Sequence, residues 1–149
     1  DLHVRSRRQR QMCIRDSEMV RSIKDVYRDR EFDLVTCVPM HKDTLRKRGY
    51  NQAELLAKEC ARLLGTEYAD LLAKTKKNKT QHSIKAAERA KNVIGVYSPI
   101  NKNLIKGKRI LIIDDIITTG STLGECARIL NKCKCGEICC CTLCTSLLI

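Results

Sequence analysis

Residues 109–122 read RILIIDDIITTGST, and the reading of this stretch decides the fold. Four apolar residues, Ile110 to Ile113, end in the paired carboxylates Asp114 and Asp115. A short turn then delivers Thr118, Thr119, Gly120, Ser121 and Thr122 to a helical pattern over 121–131. A short apolar run bounded by polar residues is a buried strand, and here its carboxyl end presents two acids beside a hydroxyl-rich loop. Such a loop offers N–H and hydroxyl groups to a phosphate, and the helix behind it adds its positive end. Carboxylates at that place would repel a phosphate unless they hold something else. The natural partners are vicinal ribose hydroxyls, alone or with a Mg²⁺ ion sharing the charge. The pattern therefore points to a sugar phosphate. A strand ending in solvated acids, followed by a polar helix cap, would account for one Asp and one hydroxyl but not for the complete order.

Outward from this stretch, strand and helix signals alternate. Glu18 to Arg30 is amphipathic at helical spacing, Phe32 to Val38 reads as a strand stopped by Pro39, and HKDTLRKRGY (residues 41–50) reads as a basic loop. Asn51 with Glu54 three residues on predicts a capped helix over Gln52 to Leu64, ended by Gly65. Tyr68 to Ala73 is a further strand candidate. Lys74 to Ser83 lacks apolar periodicity and reads as a basic loop, with Ser83 capping a helix over Ile84 to Asn92. Val93 to Tyr97 is a short strand candidate, Ser98 to Lys108 a turn-rich connector, and Ile138 to Thr145 a last strand. This alternation predicts an α/β fold with a mostly parallel central sheet flanked by helices, ligands sitting at the carboxyl ends of its strands.

The chain has 149 residues, 43% of them hydrophobic, which is enough for one packed domain. No apolar run reaches membrane-spanning length, so no membrane insertion is expected. With 29 Lys and Arg against 17 Asp and Glu, the net charge is +12, which suits an anionic partner such as a polyphosphate or nucleic acid. Aromatic content of 3% without Trp leaves few platforms for stacking single-stranded bases. Of ten cysteines, six crowd the end of the chain: Cys133, Cys135, Cys139, Cys140, Cys141 and Cys144. Without a His, and at spacings that fit no common zinc finger, they read as buried small residues of a strand rather than metal ligands. Abundant thiols and no visible signal peptide imply a reducing cytoplasm.

Residues 1–17 stand apart. RRQRQMCIRD (Arg7 to Asp16), with DLH ahead of it, resembles a one-frame translation of a sequencing adapter, Val4 to Ser6 falling where a barcode would lie. A basic nucleic-acid-binding arm and a targeting peptide are the alternatives, and the segment lacks the apolar core of a secretory signal. On the adapter reading the natural start is missing, and the native domain spans 18–149. Setting the segment aside, with its five Arg and two Asp, lowers the net charge from +12 to +9.

The 109–122 pattern is similar to the phosphoribosyl-pyrophosphate (PRPP) signature of type I phosphoribosyltransferases. DLVTCVPMHKDTLRKRGYNQAELLA (Asp33 to Ala57) and KTKKNKTQHSIKAAERAKNV (Lys74 to Val93) narrow the resemblance to the ComF-type, late-competence phosphoribosyltransferase-like family. That resemblance implies the type I phosphoribosyltransferase fold. It implies Asp114 and Asp115 on the ribose 2- and 3-hydroxyls and Thr118, Thr119, Gly120, Ser121 and Thr122 around the 5-phosphate. Arg46, Lys47 and Arg48 would lie near pyrophosphate, and Lys76, Lys77, Lys79, Gln81 and Arg89 would belong to a loop closing over PRPP. Mg²⁺ would enter with PRPP, with no protein ligand assigned to it directly. The implied activity is transfer of phosphoribosyl from PRPP to an unassigned nitrogen acceptor with release of pyrophosphate. The alternative is a non-catalytic PRPP-binding or nucleic-acid-binding accessory of DNA uptake, with single-stranded DNA or the uptake machinery as partner; a homodimer is compatible with either. The family usually carries a zinc ribbon ahead of this domain, missing on the adapter reading. Thr118 stands where purine-salvage relatives carry an Asp, which argues against a hypoxanthine- or guanine-type acceptor.

Overall fold

The strand over Arg109–Ile117 runs through the middle of the sheet, and the rest of the molecule is arranged by what its side chains bury. In the computed structural model, residues 2–76, 91–117 and 119–145 are described. Their elements are, in chain order, α1 (Leu2–Tyr27), β1 (Leu34–Cys37), α2 (Lys42–Arg48), α3 (Gln52–Leu64), β2 (Glu67–Tyr68), β3 (Leu72–Lys74), β4 (Tyr97–Pro99), α4 (Lys102–Ile105), β5 (Arg109–Ile117), α5 (Ser121–Lys132) and β6 (Glu137–Thr145). Four strands form a sheet in the order β2-β1-β5-β6, each neighbouring pair parallel. β3 and β4 make a separate antiparallel pair.

Successive side chains of a strand point to opposite faces, and β5 uses this to build two cores. Ile110 and Ile112 join Leu34, Leu71, Ile105, Cys126 and Leu130 on one face. Leu111 and Ile113 join Val35, Ile23, Leu56, Ala57 and Cys60 on the other. All four β5 residues are fully buried, each such side chain contributing about 1.5–3 kcal/mol of burial. The result is a sheet covered on one side by α1 and α3 and on the other by α5, as the α/β reading predicts.

The helix Gln52–Leu64 begins and ends where the sequence places it. Asn51 Oδ1 accepts the Ala53 N–H at 3.1 Å, and Gly65 takes the left-handed conformation at φ 66°. Asn51 also donates from Nδ2 to the Val38 carbonyl at 3.1 Å, fixing the loop after β1 to the start of α3. At the amino ends of the strands, Asp33 accepts from Arg109 through Nε at 3.1 Å and Nη2 at 3.0 Å, and from its backbone N–H at 2.7 Å. β1 and β5 are thereby locked in register.

Several expectations are corrected. The basic stretch 41–50 is not a loop throughout: it contains α2, whose N-cap His41 accepts the Asp43 N–H at 3.2 Å and which ends at Gly49. None of its residues is buried, so it lacks the apolar stripe by which a helix is recognised. The strand candidate Tyr68 to Ala73 divides into β2 and β3, which belong to different sheets. The next strand begins at Tyr97 rather than Val93, and α4 interrupts the connector over 98–108. β5 continues beyond the acids to Ile117, because Asp114, Ile116 and Ile117 stay in register with Thr142, Cys144 and Thr145 of β6. The first helix begins at Leu2, well before Glu18. The helix expected over Ile84 to Asn92 falls mainly outside the described residues. Cys140 packs with one core, Cys139 and Cys141 with the other, which is the buried-strand role. Among the described residues, no group of three or more metal-ligating side chains is positioned to hold a metal ion, and no helix is long and apolar enough to cross a membrane.

Candidate functional site

The carboxyl ends of β1 and β5 open into a cleft of about 280 Å³. Residues 38–41, which follow β1, form one wall, and Asp114, Asp115 and Thr122 contribute from β5 and α5. Thr44 and Arg48 from α2, Asn51, Lys74 from β3 and Tyr97 from β4 complete the polar lining. A smaller recess of about 30 Å³, lined by Asp114, Ile117, Thr119, Gly120, Ser121 and Thr122 among others, adjoins it through Asp114 and Thr122. Asp114 and Thr122 thus border both the cleft and the recess at the hydroxyl loop.

The acids are held by their own backbone. Asp114 Oδ1 accepts the Asp115 N–H and Asp115 Oδ1 accepts the Ile116 N–H, both at 2.9 Å. Burial pushes the Asp114 carboxyl up to about 7, and the adjoining Asp115 side chain adds to the effect. Among the described residues neither acid is ion-paired with a Lys or Arg. Part-buried oxygen donors lacking a cation suit a hard divalent ion or a pair of hydroxyl donors.

In the loop, Gly120 takes φ 77° and stands as the N-cap of α5 with no side chain to cap it. Thr119 Oγ1 lies 2.8 Å from Ser121 Oγ and 3.4 Å from the Ser121 nitrogen. The left-handed turn is what lets the chain leave β5 and start α5 within a few residues, and a side chain at position 120 would be strained there. An N-terminus of this kind, on a twelve-residue helix, suits an anion.

The structure separates the sequence-derived candidates. Asp114, Asp115, Thr122 and Arg48 line the cleft, and Thr119, Gly120 and Ser121 the adjoining recess. Arg46 and Lys47 are exposed on α2, Lys76 is exposed beyond β3, and none of the three lines the cleft. Thr118, Lys77, Lys79, Gln81 and Arg89 lie outside the described residues. Two cleft residues escape a reading of the sequence, Lys74 and Tyr97, cross-strand partners in the β3–β4 pair. Lys74 stands 5.7 Å from the Tyr97 ring centroid, and burial draws its ammonium below the ordinary lysine range. The only local signal was the position of Lys74 at the head of a basic run. The thiols of Cys37 and Cys126 are pushed up to about 12 by burial, so they are not nucleophiles at neutral pH.

Fold and cleft together define an α/β domain of the covered parallel-sheet class, with its functional cleft at the strand carboxyl ends. The chain belongs to the phosphoribosyl transferase domain family, whose model matches residues 51–147. Competence protein F of Haemophilus influenzae is 32% identical to it over 122 residues, 78% of this chain and 53% of that protein. Competence protein ComFC of Bacillus subtilis is 34% identical over 132 residues, 83% of this chain and 52% of that one. DNA utilization protein YhgH of Escherichia coli K12 is 30% identical over 101 residues, 67% and 44% of the respective chains. The chain thus spans about half the length of the curated relatives it matches. Among solved structures, the purine phosphoribosyltransferase from Pyrococcus horikoshii superposes with a TM-score of 0.57 at 16% identity, covering 93% of this chain and 78% of that one. The allosteric regulatory enzyme of purine biosynthesis gives a TM-score of 0.56 at 21% identity, over 87% of this chain and 25% of that one. These likenesses establish the type I phosphoribosyltransferase fold.

Proposed function

We propose that the cleft binds PRPP with Mg²⁺ and that the protein transfers its phosphoribosyl group to a nitrogen acceptor, releasing pyrophosphate. The observation that carries this reading is that the cleft lined by the acid pair adjoins the recess at the uncapped N-terminus of α5, Asp114 and Thr122 lining both. Asp114 and Asp115 accept from the ribose 2- and 3-hydroxyls, and residues 118–122 donate to the 5-phosphate. Arg48 and Lys74, the Lys and Arg side chains of the cleft lining, face the pyrophosphate.

In the reaction a bond forms between the acceptor nitrogen and the anomeric carbon while the bond from that carbon to pyrophosphate oxygen breaks. The transition state has oxocarbenium character, so the protein supplies orientation and charge rather than a covalent nucleophile. Asp114 and Asp115 are the residues that would hold Mg²⁺ through the ribose diol, and when bound the ion supplies positive charge to the leaving pyrophosphate. The acid pair fixes the ribose, the loop fixes its 5-phosphate, and the basic side chains receive the departing anion. Calorimetric titration with PRPP, with and without Mg²⁺, tests the binding half against an Asp114→Asn/Asp115→Asn control. Mg²⁺-assisted binding that the control loses supports it; absence of binding by the folded wild type overturns it.

One observation favours a second reading. No residue of α2 is buried and the helix ends in Arg46, Lys47 and Arg48, and the net charge is +12, as expected of a nucleic-acid accessory. Under that reading the protein binds single-stranded DNA with an affinity that falls steeply with salt, without PRPP turnover.

A further inference from the structure

Tyr97 touches more of the cleft than its role as a core residue requires. It is 6% exposed and packs in the cluster that contains Leu123 and Cys126 of α5. Its hydroxyl comes near the Thr122 side chain at the head of that helix, where both residues line the cleft. Its ring lies beneath the Lys74 ammonium at 5.7 Å, held there by the register of β3 against β4, in which Lys74 and Tyr97 are direct partners. Lys74, Tyr97 and Thr122 all line the cleft with Asp114. Lys74 has no carboxylate ion-paired to it among the described residues. A half-buried ammonium supported only by a ring face keeps its appetite for an anion.

We propose that Tyr97 is a positioning residue that sets the two anion-binding ends of the cleft relative to each other, its ring seating Lys74 and its hydroxyl steadying Thr122. The inference rests on the sugar-phosphate reading of the cleft. One buried side chain spans the β3–β4 pair and the phosphate loop, so displacement of either end is felt at the other. Its two functions separate chemically: a phenylalanine at position 97 keeps the ring under Lys74 and loses only the contact with Thr122.

The two halves of PRPP serve as separate probes. Ribose 5-phosphate and inorganic pyrophosphate, each with Mg²⁺, are titrated calorimetrically into the whole chain and into Tyr97→Phe, Tyr97→Leu and Lys74→Met. Tyr97→Phe weakens ribose 5-phosphate about five-fold, the worth of one polar contact, and leaves pyrophosphate within about two-fold. Lys74→Met weakens pyrophosphate and spares ribose 5-phosphate. Tyr97→Leu weakens both, and adding Lys74→Met to it costs pyrophosphate little more, since the ammonium has already lost its seat. A merely structural tyrosine would shift both probes together in Tyr97→Phe or neither. If the wild type binds both probes and Tyr97→Phe matches it on both, the proposal is overturned while the sugar-phosphate reading stands. If the folded wild type binds neither probe, both fall. Should Tyr97→Leu fail to fold, the split between the probes in Tyr97→Phe decides alone.

Discussion

Replacing Asp114 by asparagine should make the ligand-free protein more stable, and increasingly so as pH rises. The Asp114 carboxyl is pushed from 3.8 up to about 7 by burial and by Asp115. A folded value above the unfolded one means that the group costs nothing below pH 4, costs progressively more up to pH 7, and has a constant cost above that. The full shift corresponds to roughly 4 kcal/mol; because the side chain is only part-buried, solvent screening reduces this to about 2 kcal/mol. Asparagine retains the oxygen that accepts the Asp115 N–H at 2.9 Å but never ionises. The stability gained by Asp114→Asn should therefore grow from under about 1 kcal/mol at pH 5 to about 2 kcal/mol at pH 8.5. In a chain of this length that is a rise in Tm of about 6 °C at the higher pH. Thermal unfolding followed by circular dichroism at the two pH values reads it directly. An equal difference at both pH values, or a variant less stable than wild type at pH 8.5, would refute the argument that burial of this carboxyl is held in reserve for a ligand.

Three further outcomes follow from particular contacts. Asp33 is held down at about 2 by Arg109, so the stability it contributes is present above pH 4 and lost as pH falls toward 2; Asp33→Asn should flatten that part of the acid-unfolding curve. A Cβ at position 136 would stand 2.7 Å from the Gly107 carbonyl oxygen, so Gly136→Ala should destabilise by about 1–3 kcal/mol in urea unfolding. Asp16 is 6% exposed, with one side-chain oxygen lacking a partner in the described structure, and its carboxyl is pushed up by burial and then by Glu59. Asp16→Leu should raise stability by about 1–3 kcal/mol, read as a higher Tm. A lower Tm for that variant would refute the burial argument.

The parts of the fold legible in the sequence are those specified locally. The helix Gln52–Leu64 carries its own start in Asn51 and its own stop in Gly65, and Ile110 to Ile113 announce a strand buried on both faces. α2 was hidden because nothing in it is buried, so its pattern is that of any charged loop. The extension of β5 through the acids depends on the register of β6, which no local pattern in residues 114–117 reveals. The candidate site divides in the same way. Its acids and loop are contiguous in sequence and were legible as a unit. Lys74 and Tyr97 lie 23 residues apart and meet only through the β3–β4 pairing, a tertiary contact between strands of three residues each. Short strands of this kind carry almost no periodic signal.

The most direct test of the central claim is a crystal structure of the whole chain with PRPP and Mg²⁺. The account predicts the ribose 2- and 3-hydroxyls against Asp114 and Asp115, with the 5-phosphate in the recess at Gly120 to Thr122. A PRPP molecule seated on the exposed face of α2, with the acid pair and the loop untouched, would contradict it.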